Sequence, residues 1–326
     1  MSFPRIAIPI LSLLLTVVQG AAVLSQPRQV IKLATEAAAG SPQVAQLYAL
    51  AAELEAQTDG AAQTKIFPSG RIGSGTRLLK RVQSGEVQIA ALPYDVLSKT
   101  VPALAMLSAP HVFRDIAHAD RALDRHAAKL LRDLLAEAEL RFLTPGESTL
   151  KHWFVSGQVP AKPEALVQYA VWSRNSPIEQ LEWKLMGLTP LENEQVPTGQ
   201  PLWFRATAAQ ARLSGHDRLC DKIIRADDVL SGHLVVMSQR WFDGLPERVQ
   251  KQIDRLKSQT AEAARKAERE LDEVLLARMG DRGVEILPPP KSSRRLFQRS
   301  GRAVQQAWGA ATGYSAQRLL ILLRRR

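Results

Sequence analysis

Between Gln29 and Leu92 short apolar runs alternate with amphipathic ones, and this order constrains the fold more than any other feature of the chain. Gln29 to Thr35 (QVIKLAT) reads as a strand. Ser41 then caps a helix with Pro42 at its first position, where a missing N–H costs nothing. Val44, Leu47, Tyr48, Ala51 and Leu54 keep helical spacing on one face. Thr58-Asp59-Gly60 ends it, Gly60 being suited to a left-handed C-cap. A second strand runs to Ile66 and Phe67 and breaks at Pro68-Ser69-Gly70. Ser74 opens a second helix through Leu78, Leu79 and Val82, closed by Gly85, and Glu86 to Leu92 is the third strand. Strand, helix, strand, helix, strand in so short a span predicts a parallel sheet with crossover helices. The loops that follow its strands lie at the carboxyl edge, where open α/β sheets bind ligands. The glycines from Gly70 to Gly75 fit neither a Walker loop nor a dinucleotide fingerprint, so no nucleotide site is expected there.

A chain of 326 residues is long enough for two lobes. The stretch from about Thr144 to Ser231 is richer in Trp and Pro and predicts the second, and Leu234 to Ser238 reads as a buried strand returning to the first. Pro246 opens a helical pattern carried by Val249, Ile253, Leu256, Ala263, Leu271 and Val274 as far as Gly280. One helix of about 30 residues would be on the order of 45 Å long, a strut across two lobes. Another helix, around Leu296 to Trp308, follows Pro288-Pro289-Pro290. The expected division is 26–146 with 232–275 as the first lobe, and 147–231 with 276–326, including the C-terminal helices, as the second.

At the start, Arg5, the apolar run Ile6 to Val18 and the small residues Gly20 to Ala22 have the parts of a secretory signal peptide over residues 1–25. The run is shorter than a bilayer span; an uncleaved anchor is the alternative. The mature protein is therefore expected to be exported, starting near Ala22 to Gln26. The net charge of +11 would suit nucleic acid. Its excess, however, sits in the last third, at Arg294, Arg299, Arg302, Arg318 and Arg324 to Arg326, with no interleaved aromatic platform. A solvated basic surface and no nucleic-acid partner are expected. Cys220 alone can form neither an intramolecular disulfide nor a Cys-based metal site. His216 near Cys220 is the best seed for a nucleophile pair, but sequence neighbours seldom provide that geometry. The six histidines show no ligand spacing. No catalytic residue, metal or cofactor is expected.

Four motifs recur in an order that resembles one family. They are Thr58-Asp59-Gly60, the loop Phe67-Pro68-Ser69-Gly70-Arg71-Ile72-Gly73, Val82-Gln83-Ser84-Gly85-Glu86-Val87, and Ala109-Pro110-His111-Val112-Phe113-Arg114-Asp115. Lys162-Pro163-Glu164-Ala165-Leu166 and Ser238 to Pro246 (SQRWFDGLP) continue the series. Together they resemble the periplasmic solute-binding subunits of tripartite ATP-independent periplasmic (TRAP) transporters, the DctP-like receptors. The resemblance implies an α/β, two-lobed periplasmic binding protein-like fold with crossing strands and a long bracing helix. It also implies a monomer that traps a small carboxylate-like organic solute in the cleft and delivers it to the membrane permease subunits.

The departures from the family bear on the site. Nine residues after the second-lobe Pro the family usually carries an Arg that clamps the ligand carboxylate through its planar fork. Counted from Pro163, that position is Trp172, with Arg174 two residues on and returned to the same face of a strand. A second family Arg falls at Lys151. The family's pattern between Glu192 and Gly215 is replaced by Pro197 to Arg205 (PTGQPLWFR), and its usual His before the return strand by Asp227 and Asp228. The expected ligand-binding set is Lys151 and Arg174 for charge, Trp172 and Trp203 for an apolar wall, with Asn175 and Arg71. Trp172 as a core residue of a degenerate cleft is the alternative, and with it a docking protein or sensor-partner receptor whose solute binding is altered or lost.

Overall fold

The computed structural model describes residues 29–58, 62–159, 163–173, 176–191, 200–254 and 260–325. The leader, Gly60, Arg174 and Asn175 lie outside them. The alternation that begins at Gln29 gives β1 (Gln29–Thr35), α1 (Pro42–Gln57), β2 (Ala62–Phe67), α2 (Gly75–Gln83), β3 (Ile89–Pro93) and α3 (Tyr94–Ser98). The Ser41 side chain accepts from the Val44 N–H, as its place before Pro42 requires. A 3-10 segment over Pro102–Ser108 follows, then α4 (Ile116–Arg121), α5 (Ala128–Ala136) and β4 (Leu140–Leu150). The second lobe holds β5 (His152–Val155), β6 (Ala170–Trp172), α6 (Pro177–Leu185), β7 (Pro190–Leu191), β8 (Leu202–Ala206), α7 (Ala208–Ser214) and β9 (Lys222–Ile224). The chain closes with β10 (Leu230–Ser238), α8 (Gln239–Asp243), α9 (Glu247–Asp254), α10 (Thr260–Asp281), β11 (Glu285–Leu287), α11 (Lys291–Thr312) and α12 (Tyr314–Leu323).

Two sheets result. The first has the order β2-β1-β3-β10-β4, with β1 parallel to β2 and β3, and β10 antiparallel to its neighbours. The second has the order β11-β9-β5-β8-β6-β7, and only β5 runs against its partners. Lys151 alone separates β4 from β5, and β10 returns from β9, so two strands cross between the sheets. Gly146 sits where those crossings pass: a Cβ there would lie 2.7 Å from the His233 ring, which only glycine avoids. The first sheet buries both faces, Leu33, Ile89 and Met237 under α1 and Leu92, Leu234 and Val236 on the other side.

Of the strut, the structure describes α9, of 8 residues, and α10, of 22, and residues 255–259 between them lie outside the described residues. The longer piece still reaches across both lobes. Its start is tied to the first lobe, with Arg265 forked onto Asp124 (2.8 and 2.8 Å) and Arg269 onto Asp120 (2.9 and 2.7 Å). Its far end packs Leu276 and Met279 against Phe154, Phe204 and Ile223 of the second.

The C-terminal helices do not follow the expected division. Phe297 on α11 packs with Trp153 and Trp203 in the second lobe, but Val304 on the same helix enters the core of the first. On α12, Ala316, Leu319 and Leu323 are fully buried in that same core with Leu104 and Met106. Their spacing of three and four residues makes one inward stripe, and it faces the first lobe. No described helix is long and apolar enough to cross a membrane.

Candidate functional site

In the second sheet the carboxyl ends of β6, β8 and β9 share an edge with the start of β5, because β5 alone is antiparallel. That edge carries both crossings to the first lobe and is where an open α/β sheet takes a ligand. Here five ionisable side chains meet out of water. Arg205, on β8, has a fully buried side chain that spans two carboxylates: Nη1 lies 2.7 Å from Glu182 Oε2 and Nη2 lies 2.9 Å from Asp228 Oδ2. Glu179 Oε1 is 3.8 Å from Arg205 Nη1, and Glu179 Oε2 is 3.8 Å from Lys151 Nζ. The guanidinium also lies 4.0 Å from the centre of the Trp153 ring, a contact that gains strength when both partners are dry. Ser300, from α11, donates to Glu182 Oε1 at 3.0 Å.

The cluster sets two cations against three carboxylates. Burial pushes the Glu179 carboxyl up against the pull of Lys151 and Arg205, and neither of its oxygens has a hydrogen-bond partner among the described residues. Burial works against the Arg205 charge as well, but Asp228, Glu182 and Glu179 outweigh it and hold the guanidinium charged. Lys151 and Arg205 are thus already neutralised from within.

A second charged group fixes the same edge to the strut. His152 is buried, with Nε2 3.0 Å from Asp272 Oδ2 of α10 and Nδ1 3.4 Å from Asp227 Oδ1. Burial disfavours its charge, yet the carboxylates of Asp227 and Asp272 prevail and raise its pKa to about 9. Asp272 also accepts from the Ala208 N–H at the start of α7.

Beside the cluster, and sharing Asp228 and Trp153 with it, is a pocket of about 500 Å³. Trp153, Trp203, Phe297 and Phe113 make its apolar wall, and Arg114, His111 and Asp227 are among its polar residues. His111 and Asp227 both hold left-handed backbone (φ 55° and 49°), uncommon for residues with a Cβ, and the His111 N–H donates to the Asp228 carbonyl at 2.6 Å. This joins the Pro110 to Asp115 motif of the first lobe to the crossing strand of the second. Arg225 is held by Glu273, whereas Arg114 is exposed and has no ion pair among the described residues.

Of the residues singled out in the sequence, Lys151 lies in the charge cluster and Trp203 in the pocket wall. Trp172 does not join them. Register pairs Trp172 with Phe204 and Val171 with Trp203, so the two indoles point to opposite faces of the sheet. Trp172 is buried against Phe204 (5.6 Å) and the His216 ring (4.6 Å), so the two do not form one wall. Arg71 is exposed on the loop after β2, at the carboxyl edge of the first sheet. Arg174 and Asn175 lie outside the described residues. Glu179, Glu182, Arg205 and His152 were not singled out. The signal for Arg205 was a lone charge inside the otherwise apolar strand Leu202–Ala206; for Glu179 and Glu182 it was their place between Ile178 and Trp183 on one short helix.

The chain matches the family model described as bacterial extracellular solute-binding protein, family 7, over residues 33–187 and 209–310. The unmatched interval holds β8, and with it Trp203 and Arg205. The 2,3-diketo-L-gulonate-binding periplasmic protein YiaO of Escherichia coli is 24% identical over 241 residues, covering 72% of this chain and 73% of that protein. Among solved structures, a TRAP periplasmic solute-binding protein of Ochrobactrum anthropi, with its C-terminus bound in the ligand-binding pocket, superposes with a TM-score of 0.81 at 19% identity, covering 91% of this chain and 95% of that one. Another from Roseobacter denitrificans, with bound β-D-glucuronate, gives 0.80 at 16% identity, covering 91% and 99%.

Proposed function

This chain belongs to the family 7 bacterial extracellular solute-binding proteins, the TRAP periplasmic receptors, and we propose that it captures a small organic acid between its lobes and hands it to a membrane permease. The observation that carries the reading is the facing pair of strand edges, joined by β4–β5 and β9–β10 and braced by α10, which is the geometry of a receptor that closes on its ligand. It works by binding, as an exported monomer in the periplasm, with no bond broken and no metal or cofactor. The proposed ligand set is Arg174, Asn175, Arg71 and Trp203, to which the pocket adds Arg114, while Lys151, expected from the sequence to share this charge, is engaged by Glu179. Because Glu182 and Asp228 already occupy Arg205, the solute's carboxylate is met by cations outside the cluster, and its ring or carbon chain lies on Trp203. Sugar acids of the kind bound by the Roseobacter denitrificans protein are the first class to try.

A second reading is favoured by the same cluster: with Lys151 and Arg205 neutralised from within, the scaffold serves as a docking protein or sensor-partner receptor without a solute. A thermal-shift screen of sugar acids, dicarboxylates and aromatic acids, followed by calorimetric titration of any hit, separates the two. A true ligand raises the melting temperature with its concentration, by about 2.7 kcal/mol of stabilisation at a hundred times Kd. A folded protein that no acid stabilises supports the second reading.

A further inference from the structure

From residue 288 onward the chain carries nine Lys and Arg and no Asp or Glu, which is most of its net charge of +11. The transport reading makes no use of this. The helices α11 and α12 form a hairpin about Gly313, in which Gln317 Nε2 donates to the Gly309 carbonyl and Arg324 donates to Gln305 Oε1. The inward stripe of α12 is spent in the core of the first lobe. Its outward stripe is Tyr314, Arg318 and Ile321, which helical spacing of four and three residues sets in one line, and Arg325 follows just beyond the end of the helix. Tyr314 is 75% and Ile321 70% exposed, the two arginines between and beyond them are exposed, and neither arginine has an ion pair among the described residues. Arg299 and Arg302 on α11 are likewise exposed and unpaired among those residues.

We propose that the outward face of this hairpin docks on an anionic phospholipid surface. A protein interface is ordinarily read by mixed charges and fitted apolar pockets, and here the field has one sign along 36 residues with no complementary acid. Exposed guanidinium groups gathered on one hairpin attract a sheet of phosphate headgroups without needing any particular sequence of partners. A tyrosine and an isoleucine on the same line supply the shallow apolar contacts that a helix lying on a membrane uses. The inward stripe keeps the helix bound to its own lobe, so the contact is peripheral and reversible. For an exported receptor, that surface is the one in which a permease is embedded.

The test is co-sedimentation of the protein recovered from the periplasm with vesicles of phosphatidylcholine alone and with about 30% phosphatidylglycerol. Wild type is expected to partition onto the phosphatidylglycerol vesicles, and to leave them when salt is raised to about 0.5 M. The double variant Arg318→Gln/Arg325→Gln should lose roughly 30-fold in partitioning, about fivefold for each charge removed. Its melting temperature should match wild type, because both side chains are exposed. Equal binding to both vesicle types, binding by the variant at the wild-type level, or no vesicle binding while an acidic protein is captured by the same face, would each overturn the proposal.

Discussion

Arg205→Met is the substitution that tests the charge cluster most directly. Methionine keeps much of the length and the contact with Trp153 but removes the charge. What remains is Glu182, Asp228 and Glu179, buried together, with Lys151 as the sole cation of the cluster and 3.8 Å from the nearest of them. Removing one partner of a buried pair leaves an uncompensated charge and typically costs 3–5 kcal/mol, far more than the pair itself contributes. Arg205 contacts two carboxylates at 2.7 and 2.9 Å and a third at 3.8 Å, so the upper part of that range applies. For a chain of this size about 4 kcal/mol lowers the melting temperature by roughly 10 °C. Urea unfolding gives the free energy and calorimetry the temperature. The decisive measurement is the double variant Arg205→Met/Glu182→Gln, which removes the orphaned charge together with its partner and should recover about 1–3 kcal/mol of the loss. A cost below about 1 kcal/mol for the single variant, or strict additivity of the two, would mean that the guanidinium and Glu182 do not depend on each other, and the reasoning would fail.

Three other perturbations have signs fixed by the structure. His152 has a folded pKa of about 9 against an ordinary 6.5, so its stabilising charge is fully present below about pH 6.5 and lost as pH rises through 9. The stability gap between wild type and His152→Gln should therefore shrink by about 3 kcal/mol between pH 6 and pH 9.5, read from urea midpoints; a constant gap would mean that His152 is neutral throughout. Glu179 has its pKa raised by burial, so what it contributes is present at low pH and lost as pH rises through its folded value; Glu179→Gln should match or exceed wild type at about pH 8 and show less pH dependence. Trp172→Ala should cost about 3–5 kcal/mol of stability and leave solute affinity within a few-fold of wild type, because the indole packs on the face away from the pocket; a large affinity loss with intact stability would return it to the site.

The fold was legible wherever it rests on local rules. Gln29–Thr35, the cap at Ser41 and the alternation to β3 follow from spacing and from capping chemistry within a few residues of each other. The lobe division failed at α12 for a physical reason. An apolar stripe such as Ala316, Leu319 and Leu323 states that a helix has an inner face but not which core that face meets. That depends on α11, which starts against Trp153 and ends beside Met106 and so carries the chain back from one lobe to the other.

The site was legible only in outline, and Trp172 and Arg205 show why. Counting along one strand finds the position where an arginine is missing. It cannot find an arginine on the neighbouring strand, because register is a property of the pairing between strands and not of either sequence. In the structure Trp172 pairs with Phe204, and the next residue of β8 is Arg205, whose side chain turns to the opposite face. One face of the sheet carries an indole that completes its core with Phe204 and His216, and the other carries a guanidinium over Trp153. A guanidinium in that dry position needs carboxylates, and α6 supplies Glu179 and Glu182 from the segment that leads out of β6. The side chains of Arg205 and α6 therefore depend on one another, while Trp172 belongs to the other face. Restoring an arginine at 172 alone would bury a second guanidinium among Phe154, Phe204 and Met279, where no carboxylate of the cluster reaches it. The site is coherent as it stands, with a positive charge for a solute to be sought at Arg71, Arg114 and Arg174 and not at the position the family usually uses.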